Sequence, residues 1–281
     1  MAHRTVQTLA ELAELPAMLA EGYVTMRQHP SADLWVYNYT ARAQYDNVWN
    51  ETTLTCRGLI VNAAGDVVAR PFRKFSNLEQ VEQLPKEPFE VFEKVDGSLG
   101  ISFWHQGEPF IATRGSFESE QAKEANLMLR KNYHWRALNP AYTYLWEVVY
   151  RENRIVVDYG DTWELVLLAV IETATGRELP YAEMGVGLGF PIPHNYTAVV
   201  NLDNLSEINW PNTEGFVIRF QSGFRVKAKL AEYVRLHKLL TGITEKTIWE
   251  YLSTGLDIHE LWERTPDEFQ HWIESTCAAF W

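Results

Sequence analysis

The chain has 281 residues, 46% of them hydrophobic and 22% charged, which excludes intrinsic disorder and allows one large domain or a domain with a small appendage. No apolar run reaches membrane-spanning length, and Glu11 and Glu14 interrupt the apolar core that a signal peptide needs, so the expectation is an intracellular, cytoplasmic protein without a membrane anchor. The formal charge of −12 excludes a generic basic nucleic-acid coat while leaving room for a basic cleft, and Cys56 and Cys277 are too few for a disulfide framework or a Cys-rich zinc site.

In chain order, Thr8 to Met26 carries a helical pattern of Leu and Ala. From Asp33 the texture changes to short runs rich in β-branched and aromatic residues: LWVYNYT, LTCRGLIVN, DVVARPF, FEVFEKV, LGISFWH and FIATRG. Turn signals such as Ala64-Gly65-Asp66 and Gln106-Gly107-Glu108 separate them. Ser119 to Trp135 reads as a helix. Strands resume with YTYLWEVVY, RIVVDY, ELVLLAVIE, GFVIRF and FRVKAKL, while residues 181–210 are mixed. After Leu230 the pattern is helical to the end. Thr265-Pro266-Asp267-Glu268 forms a capping box with proline at the first helical position, and Phe269, Trp272, Ile273, Cys277 and Phe280 then share one face. The fold class is α+β: mainly antiparallel sheets with a short helical module at the C-terminus.

The chemistry concentrates around Glu93-Lys94-Val95-Asp96-Gly97-Ser98, where a strand-like run ends on Lys94 and Asp96-Gly97 makes a tight turn. Taken alone, that lysine reads as a solvated hairpin charge. Its company changes the reading. Arg57, Lys74, Lys94, Arg114, Lys227 and Lys229 are cations in or beside apolar strands, and Asp96, Glu147 and Glu214 are carboxylates in similar settings. Lys227 and Lys229 are two apart on one strand and point to the same face. Unpaired charge is costly there, so many cations with a few carboxylates suit a polyphosphate and a divalent metal. Scattered salt bridges are the alternative. The eight histidines show no metal-ligand spacing.

The order of these pieces resembles the covalent nucleotidyltransferase superfamily of polynucleotide ligases and capping enzymes. Lys94 to Gly97 matches its Lys-x-Asp-Gly motif, Glu147 its acidic strand residue, ELVLLAVIE its apolar strand, Glu214-Gly215 its Glu-Gly motif, and Lys227 with Lys229 its Lys-x-Lys motif. The stretches CRGLIVN, RPFRKFSNLEQ, EKVDGSLG and RGSFESEQA are similar to the T-even bacteriophage RNA ligase 1 family, over about Thr55 to Lys229. Ser76 stands where that family usually has an aromatic residue, and Arg114 where its phage member has lysine.

The resemblance implies an antiparallel-sheet nucleotidyltransferase domain over residues 1–240 and a helical module over 241–281. It also implies an ATP-dependent RNA ligase of RNA repair, joining 5′-phosphate to 3′-hydroxyl RNA ends. Lys94 would be the nucleophile that carries AMP. Arg57, Lys74, Asp96, Gly97, Arg114, Glu147, Glu214, Lys227 and Lys229 would bind ATP, with Lys227 and Lys229 also catalytic. Glu214, Glu147 and Asp96 would be candidates for magnesium or manganese, with Asp96 or Glu147 near the ribose. The rivals are a capping-type guanylyltransferase or DNA ligase, which normally add an OB-fold barrel where residues 230–281 look helical, and a non-catalytic nucleotide or RNA binder.

Overall fold

Alternating apolar positions along the strands sort the chain into three antiparallel sheets. The computed structural model describes residues 5–184, 187–241, 244–254 and 270–279. The first sheet has the order β1 (Val24–Gln28), β2 (Leu34–Tyr39), β3 (Arg57–Asn62), β4 (Val67–Ala69). The second has the order β7 (Glu108–Ala112), β6 (Ser98–His105), β8 (Tyr142–Tyr150), β9 (Trp163–Glu172). The third has the order β11 (Arg225–Lys229), β10 (Gly215–Phe220), β5 (Phe89–Glu93).

The second sheet is covered on both faces, which is why β8 and β9 read as nearly continuous apolar runs. On one face Trp146, Val148 and Leu165 pack against Ala125, Met128 and Leu129 of helix α4 (Glu120–Asn132), which Ser119 caps. On the other face Ile101, Phe103, Leu145 and Ala169 pack against Val36, Ile60 and Ala69 of the first sheet. Glu147 has the parity of Leu145, not of Trp146, so alternation keeps it off the α4 face. The third sheet buries Val91, Phe216, Ile218 and Val226 on one face. Its other face carries Phe92, Val217, Lys227 and Lys229 into a cleft.

Three expectations from the sequence change. The opening segment is not one helix: it makes a 3-10 turn (Leu9–Glu11), a short α1 (Leu15–Ala20), and then β1, which contains Met26. Gly22, at φ 76°, ends the helical part. DVVARPF forms a strand only over β4, and residues 70–76 lie outside the sheets without regular structure, tied to β11 by the Lys227 amide donating to the Ser76 carbonyl at 3.1 Å. RIVVDY is not a strand: the amides of Val156 and Val157 donate to the Asp96 carboxylate rather than to a neighbouring strand.

Short helices α2 (Ala41–Tyr45) and α3 (Glu51–Thr55) connect β2 to β3, and α5 (Tyr181–Met184) follows β9. The C-terminal part holds α6 (Ala231–Thr241), α7 (Glu245–Thr254) and α8 (Gln270–Ala279). Ile248 of α7 and Ile273 of α8 pack together with Cys277, Val234, Ala41 and Tyr45. The capping box at 265–268, with Phe269 and Phe280, lies outside the described residues. No helix among the described residues is long and apolar enough to cross a membrane.

Candidate active site

A cavity of about 590 Å³ opens where the three sheets converge. Lys94 leaves the end of β5, its amide donating to the Gly215 carbonyl at 2.9 Å. The lysine is thereby fixed beside the first residue of β10. Pairing of β10 with β11 sets Gly215 opposite Lys229 and Val217 opposite Lys227, so both lysines share the cavity face with Lys94. Glycine is required at 215: φ is 152°, and a Cβ there would lie 2.0 Å from the Ala228 carbonyl oxygen. Gly97 serves a different close approach. A Cβ there would stand 2.6 Å from the Val148 carbonyl oxygen and 3.1 Å from Glu147 Cγ, so the turn after Lys94 presses directly onto β8.

The Lys94 ammonium donates to Glu214 Oε2 at 2.8 Å, and Lys229 Nζ lies 3.2 Å from Glu214 Oε1. Glu214 is only 3% exposed. It is a buried carboxylate shared by two lysines, a setting in which removing one partner is costly. Glu147 also lines the cavity. Loss of water around its carboxyl raises its pKa from 4.5 to about 7; the positive charge of Lys94 opposes the rise, and Glu214 and Asp96 reinforce it.

Asp96 takes a different place from the one the motif suggested. It is not among the cavity-lining residues. One carboxylate oxygen accepts from the Val156 and Val157 amides, each at 2.9 Å, and the other accepts from Tyr233 Oη at 2.9 Å. Its own amide donates to Tyr159 Oη at 2.9 Å. Asp96 thus ties the turn after Lys94 to the 154–159 segment and to α6, with both oxygens already engaged.

The opposite wall presents its cations through aromatic rings. Lys74 Nζ sits 4.1 Å from the centre of the Trp49 ring. Arg114 donates to Tyr39 Oη at 3.0 Å, and Tyr39 meets Trp49 edge-on at 5.3 Å. Arg57 lies 5.8 Å from the Phe75 ring centre. Arg57, Lys74, Lys94, Gly97, Arg114, Glu147, Lys227 and Lys229 therefore all line one cavity, with Glu214 immediately behind Lys94, and Asp96 alone is turned away.

Sequence reasoning missed several lining residues. Arg225 precedes Lys227 and Lys229 at the same period of two, and Arg219 faces it across the hairpin, so extending the alternation two residues back identifies both. Glu178, which accepts from Arg225, carries no such signal. Neither does the apolar end of the cavity, where Phe92 and Tyr181 stand 4.6 Å apart near Leu168 and Val217. These residues come together only through tertiary packing.

Among the described residues no group of three or more His, Cys, Asp or Glu is placed to hold a metal ion. The donors at hand are Glu147 in the cavity and Glu214 beneath Lys94. That chemistry fits magnesium or manganese held by one or two carboxylates together with water and phosphate oxygens, and it does not fit an all-protein cage.

A family model described as RNA ligase matches residues 55–233. A putative RNA ligase of Thermovibrio ammonificans is 30% identical over 203 residues, covering 66% of this chain and 53% of that protein. A putative bifunctional polynucleotide kinase/RNA ligase of Autographa californica nuclear polyhedrosis virus is 26% identical over 257 residues, covering 76% of this chain and 35% of the viral protein. The chain thus spans about a third to a half of the length of these relatives. Among solved structures, a putative ATP-dependent DNA ligase from Aquifex aeolicus superposes with a TM-score of 0.57 at 16% identity, covering 95% of this chain and 77% of that one. At that identity the likeness is one of fold.

Proposed function

Because this chain belongs to the RNA ligase family whose model spans residues 55–233, we propose that it is an ATP-dependent RNA ligase joining 5′-phosphate to 3′-hydroxyl RNA ends. The observation that carries this reading is Lys94: a lysine fixed at a strand end, paired to a buried carboxylate, in a cavity also lined by Arg57, Lys74, Arg114, Lys227 and Lys229. A nucleophilic lysine in a field of cations suits attack on a polyphosphate.

In the first step the Lys94 amine, after losing a proton, attacks the α-phosphorus of ATP. A P–N bond forms, the α–β phosphoanhydride breaks, and pyrophosphate leaves. A free lysine has a pKa of about 10.4, so only about one in 10³ is neutral at pH 7. The amine must also release Glu214, to which it now donates. In the second step an oxygen of the RNA 5′-phosphate attacks the same phosphorus and the P–N bond breaks, which restores the amine. In the third, the 3′-hydroxyl oxygen attacks the activated 5′-phosphorus, its proton is lost, and AMP leaves. Lys227 and Lys229 neutralise charge as it moves, and Lys74, Arg57 and Arg114 hold phosphates at the opposite wall. The apolar end formed by Phe92, Leu168, Val217 and Tyr181 suits a nucleobase. Glu147, and Glu214 once Lys94 lets go, would hold magnesium or manganese, which supplies charge neutralisation at the phosphates. Asp96 acts through position: it fixes the turn that follows Lys94.

The catalytic body comprises residues 1–240 and the helical module 241–281 in this reading. With ATP as a substrate, the reaction belongs inside the cell. The test is incubation with α-labelled ATP or GTP and magnesium, followed by sealing of matched strands ending in a 3′ ribose or deoxyribose. Covalent AMP and a ribose preference are expected. Covalent GMP would point to the capping-type rival, absence of any covalent nucleotide to a binder, and equal sealing of nicked DNA to a DNA ligase.

A further inference from the structure

The loop between β8 and β9 contains RIVVDY, whose strand-like pattern forms no ladder. Its polar groups are spent on the surroundings of Lys94 instead, through four consecutive residues. Val156 and Val157, 6% and 3% exposed, donate their amides to one oxygen of Asp96. Tyr159 Oη accepts from the Asp96 amide at 2.9 Å. Between them, Asp158 forms a reciprocal pair with Asn212: its amide donates to Asn212 Oδ1 at 2.7 Å, and its carbonyl accepts from Asn212 Nδ2 at 2.8 Å. Asn212 stands just ahead of Glu214 at φ 52°, a left-handed conformation that asparagine tolerates better than most residues with a side chain. One link thus reaches the turn that follows Lys94, and the other reaches the approach to the carboxylate that Lys94 pairs with. A further bond, from Ser98 Oγ to Asn153 Oδ1 at 3.1 Å, fastens the end of the same turn to the same loop.

We propose that Asn212 and Tyr159 are positioning residues for the first nucleotidyl transfer: through residues 156–159 they couple the Lys94 turn to the Glu214 approach and so fix where the Lys94 nitrogen stands. The proposal rests on the ligase reading above and adds to it the brace that aims the nucleophile. Neither residue lines the Lys94 cavity, so both act through others. The coupling is short. Adjacent residues, Asp158 and Tyr159, carry the two links, and one planar peptide unit joins them, leaving few soft torsions to absorb a displacement. Lys94 and Glu214 are 120 residues apart in the chain. Their contact is held from one side by the Lys94 amide donating to the Gly215 carbonyl and from the other by this loop. Attack on phosphorus demands an aligned approach, and a displacement of about 1 Å can cost about 10²-fold in rate. A brace of this kind governs rate and leaves the affinity for ATP alone. The Asn212–Asp158 bonds are solvent-exposed, so breaking them takes little from overall stability and isolates the effect on rate.

The experiment measures the rate of lysyl-AMP formation by the full chain over a range of ATP concentrations at saturating magnesium, together with the chemical-denaturation midpoint. Asn212→Gly removes both hydrogen bonds to Asp158 and keeps a residue suited to positive φ. It should lower the maximum rate ~10-fold, while the ATP concentration for half-maximal rate changes less than about twofold and the midpoint moves little. Tyr159→Phe removes the acceptor of the Asp96 amide and should act in the same direction; if it fails to fold, Asn212→Gly decides alone. Because the two links lie in series, the double variant should be little slower than the slower single variant, whereas independent effects would multiply. Arg151→Ala, which breaks the exposed Arg151–Asp161 pair of the same loop, should react at the unsubstituted rate. The brace is overturned by an unchanged maximum rate in Asn212→Gly, by a loss that appears in the half-saturating ATP concentration instead of the rate, by multiplied losses in the double variant, or by an equal loss in Arg151→Ala. Lack of lysyl-AMP in the unsubstituted chain would sink the ligase reading by a separate readout.

Discussion

The two walls of the Lys94 cavity hold their cations by different means. On the β5–β10–β11 wall, ladder pairing sets Gly215 against Lys229 and Val217 against Lys227, and a buried Glu214 grips Lys94 and Lys229. On the facing wall, Lys74 and Arg114 stand on segments outside any ladder and lie against Trp49 and Tyr39, the last residue of β2. The ladder wall fixes charge by register and ion pairing in a dry setting, where orphaning one partner costs about 3–5 kcal/mol. The aromatic wall fixes charge through softer contacts worth about 0.5–2 kcal/mol each. Rigid positioning thus surrounds Lys94, and adaptable positioning faces it across the cavity.

Substitutions can break this contrast, beginning with the largest effect. Lys94→Ala should abolish covalent AMP attachment altogether, because the P–N bond has no nitrogen to form on. The variant should still seal RNA adenylylated beforehand, at least weakly. Lysyl-AMP persisting on gel analysis of Lys94→Ala would overturn the assignment.

Glu214→Ala comes next. It leaves Lys94 and Lys229 together without their shared carboxylate, and adenylylation should fall by about 10²–10³-fold. Glu214→Asp should recover little, since a carboxylate drawn back by about an ångström loses its alignment. Full adenylylation by Glu214→Ala at limiting magnesium would reduce the residue to a structural ion-pair member.

Asp96→Asn keeps the shape and removes the charge that accepts from two amides and a tyrosine hydroxyl. Loss of charge assistance on these bonds should cost about 2–3 kcal/mol of stability, read by chemical denaturation. Asp96→Asn should also slow adenylylation, because the turn after Lys94 loosens. An unchanged denaturation midpoint would contradict the anchoring role.

Glu147 separates the walls by pH. Its folded pKa, about 7, lies above its ordinary 4.5, so the folded chain holds this proton more tightly than the unfolded chain does. The stability linked to this proton is complete below pH 4.5 and is lost as pH rises through 7. In metal-free protein, acidifying from pH 7 to pH 5 should therefore stabilise the native chain relative to Glu147→Gln by about 2 kcal/mol. Parallel stability–pH curves for the two proteins would remove this account.

The smallest effect belongs to the aromatic wall. Trp49→Leu deletes the ring beneath Lys74 and should raise the KM for ATP a few-fold, consistent with about 0.5–1 kcal/mol, with kcat little changed. A collapse of kcat would show that this wall is as rigid as the other.

Much of this site was legible in the chain because its pieces are local. Lys94, Glu147, Glu214, Lys227 and Lys229 each sit in or beside an apolar run, where a charge is conspicuous, and Lys227 and Lys229 share a face by simple alternation. Asp96 shows the opposite. Its motif suggested a cavity-facing carboxylate, but its partners lie in a segment that reads as a strand and in α6. Tyr39, Trp49 and Glu178 were silent for the same reason: nothing in their local sequence distinguishes them from core or surface.

The sequence by itself determined the antiparallel α+β class, the position of Lys94 at a strand end, and the need for glycine beside it, because periodicity and turn chemistry act over a few neighbouring residues. Tertiary structure alone decided which carboxylate meets Lys94, which one anchors the turn behind it, and how Asn212 comes to hold the segment that this anchor grips. Those outcomes depend on contacts between residues as far apart in the chain as Lys94 and Glu214. Such contacts form only when three sheets converge and buried charge must find a partner wherever packing places one.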